Sequence, residues 1–141
     1  MCEFNLKSAK NKKSKTKIKV EVKEDWKTRI SFNFSYLVSN KKYNHKSLEF
    51  KAHKKLLNKL YILSTTDFVT VKSWKKEEGF ETLEIKKLKP PTDFTNSIRG
   101  EKAGKEYWVF RISTMGRVVC KRINTTFYII AIDTTFDLYD H

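Results

Sequence analysis

The tightest constraint on the fold is a set of three runs rich in β-branched and aromatic residues, Tyr107 to Ile112, Arg117 to Ile123 and Thr126 to Asp133, set apart by short polar breaks. Strong strand formers between turn residues read as an antiparallel meander. The first break, Ser113-Thr114-Met115-Gly116, suits a three-residue hairpin loop with Gly116 as the left-handed residue of a bulge. The second, Asn124-Thr125, suits a two-residue turn with Asn124 at positive φ. Side chains alternate between faces, and an odd-length loop pairs residues of equal parity. Tyr107, Val109, Arg111, Arg117, Val119 and Lys121 then share one face, while Trp108, Phe110, Ile112, Val118 and Cys120 share the other. The second set is wholly apolar and must be covered, most simply by helices from earlier in the chain. The first set is expected to form an open, cationic side. An even-length loop would instead send Arg111 and Arg117 to opposite faces.

The covering helices are sought upstream. Leu48, Ala52, Leu56, Leu60 and Leu63 recur at the spacing of one buried stripe, with Lys51, Lys54, Lys55 and Lys59 on the other side. Ser47 is placed to cap this helix, which is expected to run to about Leu63. A second helix is expected after Ser64-Thr65-Thr66, capped by Thr65 or Thr66 and stopped at Gly79, with Phe68, Val71 and Trp74 as its seam. Ile30, Phe32, Phe34 and Tyr36 alternate with polar residues and predict a strand, as does the run Thr82 to Lys86, which Pro90-Pro91 ends. Residues 89–105 are expected to be a long loop, of the kind that often serves binding.

The 141 residues suffice for one domain, expected over residues 18–141, and 39% hydrophobic residues suffice for a core. Residues 1–17 are expected to be a flexible basic arm, since residues 7–23 carry eight lysines against one acid. A short strand is expected from Ile18. Cys2 and Cys120 are too far apart and too few for a disulfide framework or a metal site, and neither His45 nor His53 has a second ligand at metal spacing. Asp133, Asp137, Asp140 and His141 match no metal motif, so no metal and no cofactor is expected. Without a span of roughly 20 apolar residues or a secretion signal, the expectation is a soluble, cytoplasmic protein with no membrane partner. The net charge of +14 favours an anionic partner such as a nucleic acid, although lysine-rich composition alone also produces it.

Two helices followed by YWVFRI, GRVVCKRI and FYIIAID, with Tyr139 near the end, carry a resemblance: from Leu48 onward the chain resembles the RelE/ParE toxin superfamily. Phe32 to His141 is also similar to a group of short bacterial proteins with a like ending, to which no activity is attached. The extended N-terminal part departs from the compact members of the superfamily. The resemblance implies an α+β, RelE-like fold, with two helices packed on a mostly antiparallel sheet of four to six strands. It implies a toxin-like endoribonuclease that needs no metal, acting on mRNA free or at the ribosome, in which a ribose 2′-hydroxyl attacks the adjacent phosphate. Arg111 and Arg117 would clamp the phosphate, with Lys121 or Arg122 in support, Tyr139 positioning or protonating, and His141 a candidate acid–base. Arg99, Lys102, Lys105, Tyr107 and Arg122 are the expected nucleic-acid contacts. An acidic antitoxin would cover the cationic face.

Each of these residues has a plainer reading. Arg111 and Arg117 can pair with Asp133 or Asp137 across the sheet, Tyr139 can be a core tyrosine with a wet hydroxyl, and Cys120 can be packing alone. The alternative functions are a nucleic-acid-binding module without catalysis, or a basic partner that docks an acidic protein, in a regulatory or phage-defence system. An enzyme needs the cations and Tyr139 to converge on one pocket; a binder needs only a basic face.

Overall fold

The computed structural model describes residues 27–139; the basic arm, the strand expected from Ile18, and His141 lie outside the described residues. The fold is α+β. Five strands, β1 (Ser31–Asn33), β2 (Glu81–Glu84), β3 (Glu106–Ile112), β4 (Gly116–Ile123) and β5 (Thr126–Asp133), form one sheet in the order β1-β5-β4-β3-β2. Strands β2 to β5 pair antiparallel, and β1 lies parallel to β5, with Phe32 beside Phe127. The sheet is therefore mixed. Among the described residues three helices accompany it: α1 (Phe50–Ser64), α2 (Phe68–Lys72) and α3 (Ile98–Ala103).

The hairpin between β3 and β4 has the expected register, with Trp108 opposite Cys120, Phe110 opposite Val118 and Arg111 opposite Arg117. The left-handed residue of its loop is Ser113 (φ 50°), and Gly116 instead sits in β4 opposite Ile112. Gly116 is needed for proximity: a Cβ there would stand 2.8 Å from the Asp133 carbonyl oxygen. Asn124 takes the left-handed conformation at φ 55°, as the second turn requires.

The apolar face carries the expected core, in which Leu56 and Leu63 of α1 and Phe68 and Val71 of α2 meet Trp108, Phe110, Val118 and Cys120. The opposite face is not open. Val38, Tyr43, Leu88, Phe94, Leu138 and Tyr139 form a second core with Val109, Val119 and Ile130. The alternation that puts cations on this side also puts Tyr107, Val109 and Val119 there, and β5 adds Tyr128, Ile130 and Ala131, an apolar area too large to leave in water. A bulge makes this two-sided supply feasible. Val119 faces Ala131 while Cys120 faces Ile129, so Ile130 is the extra residue, and β5 feeds Ile129 and Ile132 to one core, Ile130 and Ala131 to the other.

Element ends differ from expectation for local reasons. Ser47 belongs to a separate 3-10 turn, and α1 starts at Phe50. Helix α2 is a single short turn capped by Asp67, whose side chain accepts from the Thr70 amide at 2.8 Å; Thr65 and Thr66 instead donate back to the Ile62 carbonyl that ends α1. The expected strand over 30–36 is paired only as β1, after which Tyr36 turns into the second core and meets Phe94 and Tyr128 edge-on. The expected loop over 89–105 contains α3, capped by Ser97. Gly100 permits this turn, since a Cβ there would come within 2.4 Å of the Phe94 carbonyl oxygen.

Candidate nucleic-acid interface

Among the expected site residues, Lys121 is set in the most specific surroundings. One step along the ladder from the Trp108 and Cys120 pair, Lys121 lies beside Tyr107, and its Nζ stands 4.0 Å from the centre of that ring. The ammonium donates to the Gly104 carbonyl at 2.8 Å, so the residue that ends α3 also fixes the lysine. Lys121 is only 5% exposed. Burial lowers its pKa and outweighs the opposing influence of Glu106. Burial likewise pushes the Tyr107 phenol up, with a hydrogen bond from Thr95 acting the other way.

These two residues form part of the wall of an open cleft of about 630 Å³ between the β2-to-α3 segment and the start of β3. Lys86, Lys87 and Lys105 also line it, against one carboxylate, Glu84, and Thr92, Thr95 and Asn96 supply neutral donors. Four ammonium groups facing one acid make the cleft a region of positive potential, focused by its protein walls. Nothing in the spacing of Lys86 and Lys87 marked them as functional. Pro90 and Pro91, which follow them, line the same cleft.

The other expected residues fall into three places. Arg111 and Arg117 oppose each other at the far end of the hairpin, and at the rise of a strand Arg117 is about 13 Å from Lys121 along β4. The Arg117 guanidinium lies 5.8 Å from the Phe136 ring, and the buried Nε of Arg111 has no hydrogen-bond partner among the described residues. Arg117 is the cross-strand neighbour of Asp133, but among the described residues no ion pair joins either arginine to Asp133 or Asp137. Asp133 accepts from the Thr135, Phe136 and Leu138 amides, and Asp137 is held by Lys42 at 2.6 Å.

Arg99 donates to the Tyr36 hydroxyl at 3.0 Å and lies over the Tyr128 ring, while Lys102 is exposed on α3. Arg122 points to the helix side, between the rings of Trp108 at 4.7 Å and Phe68 at 4.9 Å, and donates to the Asn124 carbonyl at 2.7 Å. It therefore stands across the sheet from Lys121. Tyr139 is 8% exposed in the second core. Cys120 is fully buried, and burial raises its thiol pKa well above the ordinary value. Among the described residues no group of three His, Cys, Asp or Glu side chains is placed to hold a metal ion. No described helix is long and apolar enough to cross a membrane.

The expected phosphate clamp and its supporting lysine are thus separated along the sheet, with the buried Val109 and Val119 between them. Comparison with family models, curated proteins and solved structures finds no match to this chain.

Proposed function

We propose that this protein binds RNA, holding the phosphate backbone of a single strand in the cleft beside Lys121. The carrying observation is that ammonium: it is desolvated and fixed by Gly104 and Tyr107, and it has three N–H donors of which the Gly104 carbonyl takes one. Lys86, Lys87 and Lys105 supply further neutralisation along the cleft, and Thr95 and Asn96 can donate without charge. Arg99 and Lys102 extend the positive surface along α3. The affinity is sequence-tolerant and salt-dependent, as backbone neutralisation requires.

The test is fluorescence anisotropy of a labelled twelve-nucleotide single-stranded RNA across a salt series. Replacing Lys86, Lys87 and Lys105 together by glutamine is expected to lower the slope of log K against log salt by about 2, at about 0.7 for each phosphate that is no longer neutralised. Lys121→Met, which keeps the aliphatic stem, is expected to weaken binding at least tenfold. Unchanged slopes in the triple variant would show that the cleft is not the RNA site.

Cleavage of that RNA by a RelE-like toxin fold is the second reading. It is favoured by one observation, that burial lowers the pKa of Lys121 and so brings its proton exchange closer to neutrality. Sequencing of RNA ends after induced expression separates the two readings. Discrete new ends that vanish in Lys121→Met, while Arg111→Ala and Arg117→Ala retain them, would place cleavage at the cleft. Ends that vanish only in the arginine variants would return the site to the far end of the hairpin.

A further inference from the structure

Helix α1 has a second apolar stripe that the fold does not use. Its inner side, Ala52, Leu56 and Leu63, is buried in the core, yet Phe50 is 86% exposed, Leu57 70% and Tyr61 66%. These three, with Lys54, follow the alternating four-and-three spacing of a helix–helix seam and extend over about 16 Å of helix. Isolated exposed apolar side chains are ordinary, but an aligned set on one helix is a contact surface. Its charge is one-sided. Lys51, Lys54 and Lys55 are exposed on the same helix, and no carboxylate lies between Phe50 and Ser64.

That charge selects the occupant. A second copy of α1 would bring lysines against lysines with only Glu49, at the start of the helix, to offset them. Residues 7–23 of the same chain carry eight lysines against one acid and are repelled in the same way. A lipid surface would be gripped by only three apolar side chains, because Lys54 between them must snorkel to the headgroups. A helix can instead place a carboxylate directly opposite Lys54 while its apolar residues meet Phe50, Leu57 and Tyr61. We propose that the outer face of α1 docks an acidic amphipathic helix of a partner protein, in the helix-against-helix manner.

The probe is a synthetic three-heptad helix with leucine at its seam positions and glutamate flanking them, titrated against the full chain by fluorescence anisotropy. The control is the same peptide with lysine in place of glutamate. The glutamate peptide is expected to bind saturably, and the lysine peptide at least tenfold more weakly. Leu57→Glu and Tyr61→Ser are each expected to weaken the glutamate peptide at least tenfold without lowering the unfolding temperature, because both side chains are exposed. Lys54→Glu is expected to invert the preference between the two peptides. Equal binding of both peptides, or no saturable binding of the glutamate peptide, overturns the proposal. So does sedimentation of the chain alone as a dimer that Leu57→Glu dissolves, which would make the occupant a second copy. Stronger binding to phosphatidylserine vesicles than to the glutamate peptide, abolished by Leu57→Glu, would assign the face to a lipid surface instead.

Discussion

Asp133→Asn is expected to destabilise the protein severely although it changes only one atom's identity. Asp133 is 3% exposed and organises the turn after β5. One carboxylate oxygen accepts from the Thr135 amide at 3.1 Å and the Phe136 amide at 2.8 Å, and the other from the Leu138 amide at 3.0 Å. Asparagine can keep its oxygen on only one side. With the oxygen facing Thr135 and Phe136, the amide nitrogen meets the Leu138 N–H donor to donor, and a buried N–H is left without an acceptor. The reverse flip forfeits the other two bonds. Losing one charge-assisted bond and stranding its donor costs about 2–4 kcal/mol. At about 3 °C per kcal/mol for a chain of this size, the unfolding midpoint should fall by about 6–12 °C. Circular dichroism on heating measures it, with Asp137→Asn as a nearby control. The effect should also reach RNA binding, because the Leu138 carbonyl receives the Lys89 amide at 2.9 Å and so ties the turn to the segment that lines the cleft. A midpoint within about 1 °C of wild type would refute the assignment of Asp133 as the organiser of this turn.

Gly100→Ala should disrupt α3 and the Gly104 contact to Lys121, since its Cβ would sit 2.4 Å from the Phe94 carbonyl oxygen; RNA affinity, read by anisotropy, should fall before global stability does. The Cys120 thiol, buried and with its pKa raised, should react with a disulfide reagent only on unfolding, so in a Cys2→Ser background its labelling rate should track the unfolding rate. Lys42 above all, then Thr135 and Tyr43, hold the Asp137 carboxyl well below the usual carboxylate range. A depressed folded pKa means that this contribution is complete above about pH 4 and is lost as pH falls toward the folded value. Asp137→Asn should therefore lower stability slightly across the neutral region, where the contribution is complete, and the variant and wild type should converge as pH falls from about 4 to 2, which a stability titration reads.

The sheet from Tyr107 to Asp133 was legible because period-two alternation and short polar breaks pointed the same way, Asn124 took the positive φ its turn required, and loop parity put Trp108 and Cys120 on one face; the left-handed residue of the first loop was misplaced, at Gly116 instead of Ser113. The second core was not legible. Leu88, Phe94 and Tyr43 come from segments without periodicity, and a side chain in an irregular segment carries no sign of which face it will cover. The bulge at Ile130 was hidden for a related reason, since a run of apolar residues contains no polar marker at the position where its phase slips. At the candidate site, Lys121 and Tyr107 were found by parity. Lys86 and Lys87 were missed because only the course of the chain after β2 brings them to the cleft. The resemblance offered Arg122 and Lys121 for the same supporting role, yet adjacent strand residues face apart, and the rings of Trp108 and Phe68 claim Arg122.

The parallel pairing of β1 with β5 also bears on how the protein is made. Ser31 and Thr126 are neighbours in the sheet but 95 residues apart in the chain, so β1 has its seat only after β5 has been translated. Until then Phe32, which packs against Phe110 and Phe127, has no β5 surface to rest on. A nascent chain in this state presents a strand edge and an aromatic side chain to the crowded surroundings of the polysome, which makes its early segment a natural client for holding chaperones. A circular permutant that placed residues 27–39 after β5 would turn this longest-range pairing into a local one, and it should refold faster than the native order.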